Sequence, residues 1–88
     1  MADIKAQFEQ AQKDVNTLTK RPSNEDFLFL YSHFKQANMG DARGDRPGML
    51  DMVGRAKYDA WAKLKGVTPD DAMKRYIEKV GALLKTHR

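Results

Sequence analysis

The chain has no cysteine. That excludes disulfides, thiolate metal sites and a cysteine nucleophile, and it fits a reducing compartment. Long hydrophobic runs are missing too. The longest, Phe27-Leu28-Phe29-Leu30-Tyr31, falls far short of the ~20 apolar residues that span a bilayer. The start, Met1-Ala2-Asp3-Ile4-Lys5, places an acid where a signal peptide has its basic region, so no leader is expected and the chain reads as soluble. No segment alternates with period two for long enough to argue for a strand. There is no internal repeat and no low-complexity tract. Neither sign of charge dominates: 16 basic and 12 acidic side chains leave +4, interspersed as on a solvated helical surface. The bias favours anionic ligands without choosing between nucleic acid, lipid headgroup and phosphorylated metabolite.

What remains is an ordinary globular composition, 41% hydrophobic and 32% charged over 88 residues. That is enough for one domain, residues 1–88, with a thin core. Four segments carry helical periodicity. The first runs from about Asp3 to Thr17, with Ile4, Phe8, Ala11, Val15 and Leu18 on one stripe. The second starts near Ser23, where Ser23 and Asp26 have capping-box spacing, and ends near Met39-Gly40. Residues 40–50 hold three glycines and a proline, so they form a long loop, a kind of segment that often carries function. The third helix runs from about Asp51 to Lys65, with Val53, Lys57, Ala60, Trp61 and Leu64 on one edge and Gly66 as the stop. The fourth has Thr68 as N-cap, Pro69 in its first position, Asp70 and Asp71 at its positive end, and a stripe of Met73, Tyr76, Ile77, Val80, Leu83 and Leu84. The expected fold is an all-α four-helix bundle, in which the long connection between helices 2 and 3 permits departure from simple up-down order.

Catalysis finds little support. The two serines are Ser23, a cap, and Ser32, whose neighbour His33 points to a different helix face. No nucleophile, base and orienter come together. His33 and His87 lie too far apart in sequence to suggest a metal site. His33 reads as a surface or half-buried residue, and neither metal nor cofactor is expected. Tyr31 and Lys35 stand one helical turn apart and share a face. Tyrosine can stack on a base, and lysine is a mobile point charge suited to phosphate. Lys57, Tyr58, Trp61 and Tyr76 offer the same chemistry on later helices. Pattern alone leaves open whether these are site residues or ordinary core and surface. It also leaves open whether Arg46 in the loop is a ligand-edge cation or part of a connector.

The sequence resembles the acyl-CoA-binding protein family over essentially its whole length. Four stretches carry the likeness: Tyr31-Ser32-His33-Phe34-Lys35-Gln36-Ala37; Arg46-Pro47-Gly48-Met49-Leu50-Asp51; Ala56-Lys57-Tyr58-Asp59-Ala60-Trp61 with Leu64-Lys65-Gly66; and Asp71-Ala72-Met73 with Tyr76-Ile77. The resemblance implies a cytoplasmic, monomeric carrier that binds medium- to long-chain fatty acyl-CoA one to one, forms an acyl-CoA pool and performs no chemistry. Membranes and acyl-CoA-using enzymes would be transient contacts, and nucleic acid would not be a partner. By the same carry-over, Lys35 and Lys57 hold the 3′-phosphate region, Tyr31 supports the adenine and phosphate, and Tyr76 closes the site, with Phe34 where a second tyrosine is common. Phe8, Ala11, Val15, Phe27, Leu28 and Ala56 would line an acyl groove between the start of the chain and the second helix. Asn16 stands where many members have lysine, Gln12 where a small residue is common, and Tyr58 where tryptophan is usual. Two rival readings share the charge and the aromatics: a nucleic-acid-binding helical domain, opposed by acids in every helix, and a protein-interaction module using Phe27-Leu28.

Overall fold

An oxygen-bearing side chain closes the start of each helix in the computed structural model, which describes residues 3–88. Met1 and Ala2, the first residues of the acidic N-terminus, lie outside the described residues. The elements are α1 (Ile4–Val15), α2 (Asn24–Met39), α3 (Met52–Ala62) and α4 (Pro69–Thr86), with no strand among the described residues. The all-α expectation holds. Asp3 accepts from the Lys5 amide at 3.0 Å, Ser23 from Asp26 at 3.1 Å, Asp51 from Gly54 at 2.9 Å and Thr68 from Asp71 at 3.2 Å. Each bond satisfies an amide that the helix itself cannot.

The ends of the helices differ in detail from the periodicity. Glycine stops α2 at Gly40, with φ +77°, a conformation that costs other residues strain. The third helix closes at Ala62 rather than Lys65. Beyond it the Leu64 and Lys65 amides reach Trp61 and Ala62, three residues back, tightening the chain before Gly66 at φ +89°. Asp26 does more than cap: its carboxylate meets Lys79 of α4 at 2.6 Å.

Packing follows the order α1–α4–α2–α3. The first helix lies on α4, α4 on α2 and α2 on α3, while the backbones of α1 and α2 stand apart and meet through side chains such as Phe8 and Phe34. The result is flat, with principal extents of 39 × 30 × 15 Å. Phe8 and Ala11 of α1, Leu30 and Ala37 of α2, and Ala72, Met73, Tyr76, Val80 and Leu83 of α4 make the core. Trp61 anchors α3 separately; it is 5% exposed and donates from Nε1 to the Gly40 carbonyl at 2.8 Å.

Two loops are locked through one buried side chain. Gln36 is fully buried, and its Nε2 donates to the Val67 carbonyl at 2.8 Å and to Asp41 at 2.9 Å. Asp41 also accepts from the Gly66 amide at 2.9 Å. Hydrogen bonds from Gly66 and Gln36 hold its carboxyl below the usual range. In the long loop, Tyr58 donates to the Gly44 carbonyl and Arg46 grips Asp59 with two bonds of 2.9 and 2.6 Å. Arg46 therefore serves the connector, braced against α3.

His33 differs from its sequence reading. It is buried, at 4% exposed, because α3 and α4 both cover its side of α2. Its ring stacks on Phe29 at 4.0 Å, and Nδ1 donates to the Phe29 carbonyl at 2.7 Å. Burial holds its pKa below the ordinary histidine value, the Arg75 charge adds to that, and the Phe29 hydrogen bond opposes it.

Candidate functional site

Because α4 keeps α1 and α2 apart, their facing side chains line a trough floored by α4. Phe8, Gln12 and Val15 come from α1 and Asn16 from the residue that caps its end; Phe27, Leu30, Tyr31 and Phe34 from α2; Met73 and Tyr76 from α4. Phe8 and Phe34 reach across it with ring centres 6.1 Å apart, and Phe8 also meets Tyr76 edge-on at 5.0 Å. Phe34 thereby divides the trough in two. On one side is a cavity of about 330 Å³ bounded by Val15, Asn16, Pro22, Phe27, Leu30, Tyr31, Phe34 and Tyr76. On the other, a cavity of about 480 Å³ is lined by Phe8, Gln12, Phe34 and Met73, with Lys5 and Glu9 at its edge.

A third cavity, of about 270 Å³, adjoins the first across Phe27 and is lined by Leu28, Met52, Val53 and Ala56. Phe27 borders both. The residues expected in a single acyl groove are thus distributed. Val15 and Phe27 share the first cavity; Phe27, Leu28 and Ala56 share the third; Phe8 lines the second. Ala11 is not in the trough. It is 5% exposed and turned to the other side of α1, against Ile77, Val80, Gly81 and Leu84 of α4.

The cations lie on aromatic faces. Lys57 Nζ stands 5.3 Å from the Tyr31 ring centre and 5.5 Å from that of Phe27. Lys35 Nζ lies 5.0 Å from the Trp61 ring centre and 3.2 Å from Met39 Sδ. Neither lysine pairs with a carboxylate among the described residues, where Asp26 takes Lys79 and Asp59 takes Arg46. Both charges stay available to an anion at the rim. Tyr31, Phe27 and Lys57 are brought into one cluster; Lys35, on Trp61, is set beside it from the same helix as Tyr31. Tyr76 is buried in the floor, and burial raises its pKa, which keeps the phenol neutral.

Sequence reasoning missed Pro22, Leu30, Met52 and Val53 as cavity walls. Val53 had a signal in the α3 edge and Leu30 in the longest apolar run. Pro22 had none beyond its place before a cap. Chemically, the site can accept an apolar chain beneath an anionic head. No cluster of three or more His, Cys, Asp or Glu that could hold a metal occurs among the described residues.

A small all-α binding domain with a divided apolar trough and unpaired cations at its rim is thus defined by the geometry. The family model described as acyl CoA binding protein matches residues 5–80. The acyl-CoA-binding domain-containing protein 6 of Arabidopsis thaliana is 49% identical over 81 residues, covering 92% of this chain and 88% of that one. The acyl-CoA-binding protein homolog of Manduca sexta is 49% identical over 82 residues, covering 92% and 91%. Among solved structures, Oryza sativa Acyl-CoA-Binding Protein 2 superposes with a TM-score of 0.89 at 38% identity, covering 94% of this chain and 92% of that one. The ACBP from Moniliophthora perniciosa gives 0.85 at 38% identity, covering 97% and 82%. The chain belongs to the acyl-CoA-binding protein family, and the four helices have its fold.

Proposed function

We propose that this protein binds fatty acyl-CoA esters one to one, as a monomer, and carries medium- to long-chain forms as a cytoplasmic pool without acting on them. The observation that carries the reading is the apolar trough beside two lysines that no carboxylate neutralises among the described residues. Lys35 and Lys57 take the phosphates of the CoA head, Tyr31 offers its face to the adenine, and Tyr76 and Phe34 form the floor and wall beneath. The acyl chain lies among Phe8, Val15 and Phe27, with Leu28 and Ala56 extending the apolar surface. Transient contacts with membranes and acyl-CoA-using enzymes then load and unload it.

The energetics divide the labour. Burying a methylene is worth roughly 0.8 kcal/mol, so a long chain supplies on the order of 10 kcal/mol before ordering costs. The free ligand also hides its tail in membranes and micelles, so the head must add the specificity. A charge-assisted hydrogen bond adds about 1.5–3 kcal/mol, and each 1.4 kcal/mol or so is a factor of ten. Calorimetric titration with palmitoyl-CoA, CoA and palmitate tests the reading. Palmitoyl-CoA is expected to bind far more tightly than either fragment, at one site per chain, and to be recovered intact. Equal affinity for palmitate and palmitoyl-CoA refutes the head-group assignment.

A further inference from the structure

Without cysteine, the chain meets a peroxide through its methionine thioethers. The described ones differ in setting. Met73 is buried in the core at 7% exposed. Met49 and Met52 are 81% and 77% exposed, with no polar contact to sulfur among the described residues. Met39, the last residue of α2, combines the two conditions that matter. It is 42% exposed, and its Sδ accepts from Lys35 Nζ at 3.2 Å, one helical turn back. A solvent oxidant can therefore reach the sulfur that touches a cation which the proposed function gives to the CoA head.

Thioether sulfur is a weak acceptor, so the contact holds Lys35 loosely. Its ammonium also rests 5.0 Å from the ring centre of Trp61, which is fixed by its bond to the Gly40 carbonyl. No carboxylate competes among the described residues. Asp41, the acid nearest to Met39 in the chain, accepts from Gln36 and from the Gly66 amide, while Asp26 and Asp59 hold Lys79 and Arg46. Lys35 thus lies between two soft partners, and a stronger acceptor at Met39 decides whether its charge is free. Hydrogen peroxide supplies one. A sulfur lone pair forms the S–O bond as the O–O bond breaks, and water leaves; the sulfur is oxidised and the peroxide reduced. The sulfoxide oxygen carries partial negative charge and is added to the atom that the ammonium already touches. We propose that Met39 is a reversible oxidation site whose sulfoxide oxygen holds Lys35 and withdraws it from phosphate. A methionine sulfoxide reductase reverses the step, with two thiols becoming a disulfide and the oxygen leaving as water. The Met39–Lys35 contact stands by itself; its effect on ligand binding rests on the acyl-CoA reading.

The test uses the whole chain carrying Met49→Leu and Met52→Leu, which with Met73 buried directs hydrogen peroxide to Met39; Met1 is common to every variant, and peptide mass mapping checks the site. Palmitoyl-CoA affinity, measured by calorimetry, is expected to fall about three- to tenfold on oxidation and to return after treatment with the reductase and a thiol. Met39→Leu and Lys35→Gln, each added to the same background, are expected to abolish the response to peroxide. No fall on oxidation overturns the proposal, and so does an equal fall in either variant. The thermal melt of the oxidised protein should match that of the reduced one; a lost melt assigns the fall to unfolding and overturns the proposal too. In ligand-free protein, the proton resonances of the Lys35 ε-methylene, which the Trp61 ring shifts, should move on oxidation, and resonances that stay in place refute the contact. If the reduced protein binds no palmitoyl-CoA, the carrier reading fails and the Lys35 resonances alone decide the oxidation site.

Discussion

Replacing Lys57 by methionine separates the head-group contact from everything else that side chain does. Methionine keeps most of the length and the apolar stem and removes the charged ammonium with its donors. In the free protein Lys57 Nζ lies over Tyr31 and Phe27, at 5.3 and 5.5 Å from their centres. An exposed cation–π contact is worth about 0.5–1 kcal/mol, and a thioether against the same rings returns about 0.3–1.5 kcal/mol. Stability should therefore stay within about 1 kcal/mol of wild type. In the complex, a charge-assisted bond to phosphate contributes about 1.5–3 kcal/mol. Drawing Nζ off the rings takes back about 0.5–1 kcal/mol. The difference, about 0.5–2.5 kcal/mol, is roughly a 2- to 70-fold loss of palmitoyl-CoA affinity. Calorimetry at two ionic strengths is the assay, because the lost contact is ionic. The wild-type affinity should fall with salt, and the Lys57→Met affinity should fall less. Unchanged palmitoyl-CoA affinity in Lys57→Met refutes the assignment. An equal loss for palmitate refutes it as well, since a free fatty acid has no CoA phosphate for Lys57 to hold.

Three further substitutions test other parts of the structure. Phe34→Ala removes the wall between the cavities of about 330 and 480 Å³; across a series of acyl-CoA lengths it should raise affinity for the longest chains relative to medium ones, and a uniform shift would show that the ring is not a partition. Gln36→Leu leaves the Val67 carbonyl without its donor; it should cost about 1–3 kcal/mol in urea unfolding and lower the melting temperature by about 4–8 °C for each kcal/mol. His33 is held below its ordinary pKa chiefly by burial, beside Arg75, Lys63 and Glu25; the unfolded chain binds its proton first, so stability is full above about pH 6.5 and falls as pH drops through that value toward the lower folded pKa. Urea titrations from neutral to mildly acidic pH should show that slope, and His33→Asn should flatten it.

Much of this fold was legible in local chemistry. Ser23, Asp51 and Thr68 cap the helices they were expected to start, and Gly40 and Gly66 stand at left-handed positions near the ends. Those features depend on a few neighbouring residues, which is why a sequence displays them. The burial of His33 depends on which helices cover α2. Residues 27–31 make α2 apolar almost all round, because it packs against both α3 and α4. A helix with two partners shows no clean stripe, and periodicity cannot tell which polar residue lies between them. Ala11 illustrates the converse. Its place on the α1 stripe was correct, yet that stripe faces α4 as well as the trough, and only the packing order decides which neighbour a given position meets. Tyr31 and Lys35 were legible as a shared face, but that Lys35 rests on Trp61 while Lys57 rests on Tyr31 required α3 to be placed.

The trough exists because α4 does the work of a spine. Ala72, Met73, Tyr76, Val80 and Leu83 give it the largest share of the buried core, and it meets α1 and α2 separately. Were α1 and α2 packed on each other, Phe8, Phe27, Val15 and Phe34 would bury one another and the chain would gain stability by closing its own cavity. Instead, Phe8 and Phe34 meet across the gap, with Phe8 edge-on to the Tyr76 floor. Larger side chains at Val15 or Gln12 would fill the space and favour the empty protein. They would do so by taking the volume a ligand chain needs, an instance of the usual opposition between stability and function. On the proposed reading, charge at the rim matters more than its number suggests. Apolar walls accept any chain of suitable width, so discrimination would fall to the few groups that read the head, a role the proposal assigns to Lys35 and Lys57.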